Sequence, residues 1–372
     1  MGAALRYLGE NLTVTGLASL APDQLRRVMS DDGSLLTGII LPDGTTAPCS
    51  CCFWTSPVMA VHPILREEGV TLDALGRIEL DEEKNSAKGL YVVGSGAAVP
   101  PARLPGSKQT APVYGGCSEN AELSARSVMA AITGDVSLCP PDTGSLGIAE
   151  AVTSRLACLK AGFSYAEAAS AGLEAEYAIT EISEKGENQK DARCILSLVC
   201  HKNSRTLLGA QVLGTGSAKA VAEGLFAAVL AALADGTHIS SLSIRTGTGI
   251  AGRLLGRAAD ILRNKLDTVI KGITPDELIA SRDAGANFFT LDVRSLPDWE
   301  QGHVAGSHNI PLPQLKKRLQ AEVPHFTPLV VISEDGADAY SVACMLQTLG
   351  ATDLYVLDGG MRLWPYKIEK GE

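Results

Sequence analysis

Residues 330–346 read VVISEDGADAYSVACML, a pattern that indicates a buried strand, a short loop and a helix. The strand is predicted by the apolar run at 330–332, and the helix by apolar residues at helical spacing, Val342, Ala343, Leu346 and Leu349. A loop of this kind usually binds an anion, because N–H groups of the loop and the helix converge on one point. This loop has no basic residue and instead carries three carboxylates, those of Glu334, Asp335 and Asp338.

The surrounding sequence predicts a small domain with a parallel sheet over residues 272–372. From residue 273 onward, helical and strand patterns alternate: helices over TPDELIASRDAG, PLPQLKKRLQ and ADAYSVACMLQTLG, and strands over FFTLDV, PLVVIS and DLYVL. Such alternation is typical of α/β folds whose strands are parallel.

Three segments of this domain carry a family resemblance: LDVRSLPDWEQGHVAGSHNIPL (291–312), VVISEDGADAYSVACML (330–346) and LYVLDGGMRLW (354–364). Together they resemble a rhodanese domain over its whole length. In that family, a cysteine opens the loop after the central strand and carries sulfane sulfur as a persulfide, with loop N–H groups and an arginine stabilising it. The resemblance places Ser333 at the cysteine position and Asp338 at the position of the arginine.

This substitution predicts that the domain has no sulfurtransferase activity. Sulfur transfer depends on thiolate character, which a serine hydroxyl lacks, and the loop carboxylates would repel an anionic donor such as thiosulfate. Cys344 lies in the following helix and is interpreted as a buried structural residue. The remaining motif positions, Asp292, Arg294 and His303, are expected to brace the fold.

The middle of the chain, residues 145–264, predicts an α+β arrangement. YAEAASAGL is a short helix, ARCILSLVCHKNSRTLLGAQVLG is a pair of strands around a polar turn, and SAKAVAEGLFAAVLAALADG is a long helix that ends at Gly236. The segment RNKLDTVIKG is expected to be a linker to the last domain.

The first part of the chain, residues 1–140, predicts short strands separated by turns. A hairpin is expected around Pro42-Asp43-Gly44, further strands over GRIEL and GLYVV, and a helix over SENAELSARSVMAAITG with Ser118 as its N-cap and Gly134 at its end.

A second resemblance covers these two parts. GRIELDEEKNSAKGLYVVGSGAAV (76–99) resembles the end of the FAD domain of pyridine nucleotide-disulfide oxidoreductases, and LACLKAGFSYAEAASAGL (156–173) with LLGAQVLGTGSAKAVAEGLFAAVLAAL (207–233) resembles the dimerisation domain of that family. A dimerisation domain followed by a rhodanese domain is similar to coenzyme A disulfide reductases and polysulfide or persulfide reductases. The resemblance implies a homodimer.

The same resemblance implies only part of a flavin site in this chain, at Gly94, Ser95, Gly96 and Ala97. The aspartate that the family directs to the ribityl chain of FAD is here Ser95, which can donate a hydrogen bond without charge assistance. The two dinucleotide motifs and the redox cysteine of the family are not found at the start of this sequence. NAD(P)H is therefore expected to bind only through a partner chain that carries these modules.

Cysteines and glycine-rich motifs offer alternative candidate sites for redox chemistry, metal binding or nucleotide binding. Cys117 starts a helix, where the dipole lowers a thiol pKa, so it is the first candidate for a reactive thiol, against a plain helix-entry residue. The run CSCCFW is interpreted as small apolar residues of a strand, or else as a redox pair or half of a shared cluster site formed among Cys49, Cys51 and Cys52. GTGIAG (247–252) matches a nucleotide-binding motif but follows a poor strand, and the resemblance places it in a loop that reaches toward the active site of the partner subunit. The glycines of GTGSAK (214–219) are expected to serve the turn of the dimerisation domain. No metal site is predicted.

Composition restricts the functional class. The chain has 372 residues and a formal net charge of −10, which disfavours generic binding to nucleic acid or to an anionic membrane. No membrane-spanning run or signal peptide is expected, and nine scattered cysteines favour a reduced, cytoplasmic protein. The sequence predicts a component of a flavin-dependent disulfide oxidoreductase, or alternatively a non-catalytic dimeric interaction protein.

Overall fold

The computed structural model describes residues 26–30, 36–40, 44–48, 71–72, 78–79, 91–94, 97–98, 117–138, 146–154, 156–183, 192–245, 249–268, 270–324 and 327–371. The chain divides into two compact units, Met1–Ala60 and Val61–Glu372.

The first unit contains an antiparallel sheet of three short strands. These are β1 (Arg26–Met29), β2 (Leu36–Ile40) and β3 (Thr46–Pro48), in the order β1-β2-β3. Strands β2 and β3 pair from Ile40 with Thr46, and Gly44 between them has φ of 84°. The predicted hairpin is confirmed.

The second unit begins with a two-stranded parallel sheet and a helix. Strand β4 (Ile78–Glu79) pairs with β5 (Ala97–Ala98), and helix α1 follows at Cys117–Thr133. The strand predicted over GLYVV is wrong for residues 91–93, which lie in no strand. Strand β4 pairs with β5 instead, and Tyr91 and Val93 are 41% and 51% exposed, so these apolar residues lack the burial that stabilises a strand.

Helix α1 also begins one residue earlier than predicted. Ser118 lies inside the helix rather than at its N-cap, because the helix starts at Cys117. Its end agrees with the prediction: Gly134 has φ of 70°, a left-handed conformation that glycine adopts without a steric penalty.

The middle of the chain forms a five-stranded antiparallel sheet in the order β6-β7-β10-β9-β8. The strands are β6 (Ala149–Val152), β7 (Leu156–Gly162), β8 (Ala175–Ser183), β9 (Arg193–His201) and β10 (Leu207–Thr215). The helices are α2 (Tyr165–Ser170), α3 (Lys219–Ala234), α4 (Ile239–Arg245) and α5 (Ile250–Asp267). The predicted short helix, strand pair and long helix are confirmed.

Helix α3 packs on the sheet through one face. Six of its side chains are buried, those of Ala222, Leu225, Phe226, Val229, Ala232 and Leu233. Among the described residues, Gly216–Ala234 is the one segment long and apolar enough to cross a membrane, and 39% of its most apolar window is buried within the protein. A core helix of a folded domain meets the same criterion.

The predicted linker is wrong. Residues 263–267 form the last turn of α5, and Lys271–Ile273 is strand β11 of the following domain. The helix continues because its apolar face, which includes Leu254, Ala258 and Leu262, remains buried to the end. Lys265, which belongs to the predicted linker, is also buried on this face.

The C-terminal domain contains a parallel sheet in the order β11-β15-β14-β12-β13. Its further strands are β12 (Phe289–Asp292), β13 (His308–Asn309), β14 (Leu329–Ile332) and β15 (Leu354–Leu357). Its helices are α6 (Pro275–Asp283), α7 (Leu296–Gln301), α8 (Leu315–Glu322) and α9 (Ala337–Thr348). The predicted parallel α/β architecture is confirmed; α7, β11 and β13 are elements that the sequence pattern did not predict.

Candidate functional site

The loop between β14 and α9 closes around the side chain of Ser333. Ser333 is 2% exposed, and its Oγ accepts hydrogen bonds from the backbone N–H groups of Gly336 at 3.0 Å and Ala339 at 3.3 Å. Gly336 has φ of 86°, which turns the chain from the loop into the helix. The anion cradle predicted from the sequence is therefore formed, and a hydroxyl oxygen occupies its centre.

The segment after β15 fixes this loop from the other side. The N–H groups of Met361 and Arg362 each donate at 3.0 Å to the carbonyl oxygens of Ser333 and Glu334. A Cβ atom at Gly360 would lie 2.4 Å from the Ser333 carbonyl oxygen, so only glycine allows this approach. The Asp-Gly-Gly sequence that starts at Asp358 thus supports the loop.

A cleft of about 400 Å³ opens beside Ser333. Its walls come from the strand end after β12, from α7, from the segment before α8 and from the loop itself; the lining residues are Val293, Arg294, Ser295, Leu296, Asp298, Pro311, Leu312, Pro313, Gln314, Ser333, Glu334 and Asp338. This volume lies in the range of small-ligand sites, roughly 300–1,000 Å³.

Tertiary contacts supply basic partners that the loop sequence lacks. Glu334 lies 3.5 Å from Arg294 Nη1 and 3.3 Å from Arg362 Nε. Asp335 Oδ2 accepts a hydrogen bond at 2.6 Å from Nη1 of Arg257, which lies on α5 of the middle domain. Asp338 is exposed, and its side chain makes no hydrogen bond or ion pair with the described residues. The loop therefore repels anions less than its sequence suggests. Asp338 carries most of the negative charge that is left without a basic partner.

Residues 274–366 match the family model described as rhodanese-like domain. Thiosulfate sulfurtransferase GlpE of Stutzerimonas stutzeri is 34% identical over 98 residues, which are 26% of this chain and 86% of that protein. Through this domain, the chain belongs to the rhodanese-like family. An uncharacterised protein YqhL of Bacillus subtilis is 35% identical over 79 residues, 21% of this chain and 62% of YqhL.

The likeness to solved structures extends beyond the rhodanese-like domain. Reduced CoADR-RHD of Bacillus anthracis superposes with a TM-score of 0.69 at 19% identity, over 90% of this chain and 58% of that one. An NAD-dependent persulfide reductase from A. fulgidus superposes with a TM-score of 0.65 at 22% identity, over 91% of this chain and 60% of that one. The fold is thus that of the disulfide oxidoreductases with a rhodanese domain, as predicted, and the chain spans about 60% of the length of both relatives.

A buried ion pair joins the rhodanese-like domain to the middle domain. Lys265 Nζ on α5 lies 2.9 Å from Asp358 Oδ2, and the two side chains are 2% and 1% exposed. Lys265 also donates to the carbonyl oxygen of Tyr177 at 2.8 Å and lies 4.2 Å from the centre of its ring. Tyr340 donates to Asp358 Oδ1 at 3.3 Å. Burial raises the pKa of Asp358, while the Lys265 ammonium opposes this shift.

A second contact joins the same two domains. Arg193 on β9 donates to both carboxylate oxygens of Glu181, from Nε at 2.8 Å and from Nη2 at 2.7 Å. The same Nη2 donates to the carbonyl oxygen of Arg362 at 2.7 Å. Together with Arg257, these contacts bring side chains of the middle domain to both the loop and the Asp-Gly-Gly segment of the rhodanese-like domain.

The other motif residues of the rhodanese-like domain make contacts within it. Arg294 binds the carboxylate of Asp292, with Nη2 at 2.8 Å, and donates to the Gly302 carbonyl oxygen at 2.8 Å. The ring of His303 stacks on Trp299 at 3.7 Å between centroids. Cys344 packs against the core from α9 but is only partly buried, so the prediction of a buried residue is too strong.

The predicted flavin-side residues are described only in part. Gly94 has φ of 97°, and its N–H donates to Ser124 Oγ of α1 at 2.9 Å, while Ala97 pairs with Ile78. Ser95 and Gly96 lie outside the described residues. The N–H group of Gly94 is therefore engaged within the protein, and Ala97 belongs to strand β5.

The cysteine candidates are also described only in part. Cys117 is the first residue of α1, as its proposed reactivity requires, but its side chain is not described. Cys49, Cys51 and Cys52 lie outside the described residues. Among the side chains that the structure describes, no group of three or more His, Cys, Asp or Glu residues could hold a metal ion.

The two glycine motifs lie next to helices. Gly249 is the N-cap of α5, and the preceding LSIR segment belongs to helix α4 rather than to a strand. A Cβ at Gly214, in strand β10, would lie 2.5 Å from the Ala222 Cβ, so this glycine allows β10 to approach α3. Gly216, with φ of 54°, is the glycine of the second motif that takes a turn conformation.

Sequence reasoning missed the residues that connect the two domains. Lys265 follows the apolar positions 254, 258 and 262 at a helical spacing of three to four, so it lies on the buried face of α5. A lysine in such a stripe signals a buried partner. No comparable signal exists for Arg257, whose partner Asp335 is 78 residues away.

Proposed function

We propose that this chain is a component of a flavin-dependent disulfide, coenzyme A disulfide or polysulfide oxidoreductase. The observation that carries this proposal is the superposition on CoADR-RHD and on the persulfide reductase over 90% and 91% of the chain. In this role, the chain contributes the dimerisation domain and the rhodanese-like domain and acts in the cytoplasm.

In this proposal, FAD meets a partial site on this chain, and NAD(P)H binds through a partner chain. When bound, they would supply hydride transfer from the nicotinamide to the flavin and electron transfer onward to a disulfide. Gly94, whose N–H is held by Ser124, would contribute to one edge of the flavin site together with Ser95, Gly96 and Ala97. Cys117 is the first candidate for a reactive thiol.

The visible absorption of the protein purified from its own host tests this role. We expect a flavin spectrum and a co-purifying flavoprotein that carries dinucleotide-binding modules. A colourless protein without such a partner would contradict the proposal and favour a non-catalytic interaction protein.

The proposal includes a homodimer. Helix α3 buries one face against the sheet and leaves small residues such as Ala227, Ala228 and Ala231 exposed on the other, which permits close approach of a second helix. Light scattering should give about twice the chain mass of 38.8 kDa. A monomer at micromolar concentration would count against this part of the proposal.

The rhodanese-like domain is proposed to lack sulfurtransferase activity. At the cradle, Ser333 offers a hydroxyl where transfer requires a thiolate. We expect no thiosulfate:cyanide transfer under conditions in which GlpE of Stutzerimonas stutzeri, as a matched positive control, turns over. Turnover at a rate similar to that of GlpE would refute the proposed lack of sulfurtransferase activity.

A second candidate function, a non-catalytic dimeric interaction protein, is favoured by one observation. The loop that performs chemistry in sulfurtransferases is here bound to the middle domain through Asp335 and Arg257. A rhodanese-like domain held in one orientation presents the same surface at all times. This suits binding of a partner protein as well as it suits electron transfer.

A further inference from the structure

The cleft beside Ser333 combines apolar walls with an acidic rim. Val293, Leu296 of α7 and the segment 311–313 form part of the walls. Two large side chains of these walls remain open to solvent: Leu296 is 49% exposed and Leu312 is 45% exposed. Exposed leucines on both sides of a concave site favour an occupant that brings its own apolar groups.

The charges of the cleft favour a cation. Its lining holds three carboxylates, those of Asp298, Glu334 and Asp338, and one guanidinium, that of Arg294. Arg294 is 7% exposed and already bound to Asp292, so it offers little to a ligand. Asp338 makes no ion pair with any described residue. Glu334 is paired with Arg294 and Arg362 but retains 46% of its side-chain exposure. A positive group at the rim would therefore gain mainly from Asp338 and less from Glu334.

The hydroxyl of Ser333 points to a ligand independently of these charges. Its oxygen accepts two backbone hydrogen bonds, and none of its contacts with the described residues uses its own proton. The group is 2% exposed and lines the cleft, so the available direction for this proton is into the cleft. A buried hydroxyl with an unused donor favours an occupant that presents an acceptor, such as a carbonyl oxygen.

We propose that this cleft binds a basic peptide segment of a partner protein. A backbone carbonyl oxygen of the peptide accepts the hydrogen bond of Ser333, a Lys or Arg side chain lies against Asp338 and Glu334, and apolar neighbours contact Leu296 and Leu312. The inference does not depend on the proposed flavin-dependent role, because every residue in it belongs to the rhodanese-like domain. A free amine would lack the acceptor and the apolar groups.

An array of capped pentapeptides, each with one Lys or Arg between two apolar residues, tests this proposal with the full-length chain. A matched array replaces the basic residue with Glu, and a third replaces it with Gln. We expect binding to basic peptides alone, and binding that weakens as salt is raised. Equal binding of the three arrays, or binding to none, would overturn the proposal.

Loop variants locate the site. Asp338→Asn should weaken the affinity for the best basic peptide about fivefold. Asp335→Asn, the same change on the side of the loop that faces Arg257, should leave this affinity unchanged. Ser333→Ala should weaken the peptide affinity about threefold to tenfold. Leu312→Ala, at an exposed position, should also weaken the peptide affinity without affecting folding. Equal losses in Asp338→Asn and Asp335→Asn would reveal a general charge effect and overturn the assignment to the cleft.

Discussion

At the scale of the residue, the loop after β14 is centred on the hydroxyl oxygen of Ser333. The N–H groups of Gly336 and Ala339 converge on Ser333, which is the geometry that would stabilise an anionic sulfur. A serine hydroxyl remains protonated there at neutral pH, because its pKa lies far above that of a thiol. The cradle is thus formed, and the group at its centre is a hydroxyl rather than a thiolate.

Gly360 is a second residue that determines the loop. Gly360→Ala should destabilise the fold by more than ~1 kcal/mol, because φ is 61° and the new Cβ would lie 2.4 Å from the Ser333 carbonyl oxygen. Urea unfolding measures the change. Gly306→Ala is the matched control, since φ there is 70° and nothing lies within 4 Å of the new Cβ, so only the conformational cost remains. Equal losses in the two variants would show that the close contact is unimportant.

At the scale of the element, alternation along β9 explains how cysteines enter the core. Cys194, Leu196, Leu198 and Cys200 are all fully buried on one face of the strand. Burial in apolar surroundings raises the pKa of both thiols to about 12. Since the thiolate is the reactive form, these cysteines serve packing rather than chemistry.

Site-resolved alkylation tests this interpretation. At pH 8, iodoacetamide should leave Cys194 and Cys200 unmodified in the native protein, because a thiol with a pKa of about 12 is almost wholly protonated there. In urea, both should react at the rate of an ordinary cysteine, with a pKa of about 8.5. Native labelling as fast as labelling in urea would contradict their burial.

At the scale of the whole molecule, polar contacts fix the rhodanese-like domain against the middle domain. The Lys265–Asp358 pair is buried, and the Arg257–Asp335 pair ties the active-site-type loop to α5. Buried pairs contribute little net stability but are costly to break on one side, because the remaining charge has no solvent. We expect the buried Lys265–Asp358 pair to favour the one arrangement of the two domains in which both charges are paired.

Removing one partner of the buried Lys265–Asp358 pair should destabilise the protein. Lys265→Met should lower the free energy of unfolding by roughly 3–5 kcal/mol, because Asp358 would be left charged and buried. Lys271→Met removes an exposed pair with Asp353 in the same domain and should cost less than ~1 kcal/mol. Denaturant unfolding of both variants measures this difference, and similar small losses would show that Asp358 is readily protonated or solvated.

Much of the fold follows from local pattern. The strand at 329–332, the helix at 337–348 and the pair β9 and β10 were predicted because their apolar periodicity is strong and their bounds are marked by turn residues. The strand over GLYVV was wrong because strand formation depends on a partner edge. The linker was wrong because its polar residues hid the apolar face of α5, which continues to the last turn.

The sequence by itself determined the order of elements and the parallel α/β domain, since both are encoded in short-range pattern, and residue identity alone places a serine at the centre of the loop after β14. Only the tertiary structure decided which charges meet. Arg257 reaches Asp335 across 78 residues, Lys265 reaches Asp358 across 93, and Asp338 alone among the loop carboxylates has no described partner. The physical reason is that an ion pair depends on distance in space and on exclusion of water, and neither can be read from separation along the chain.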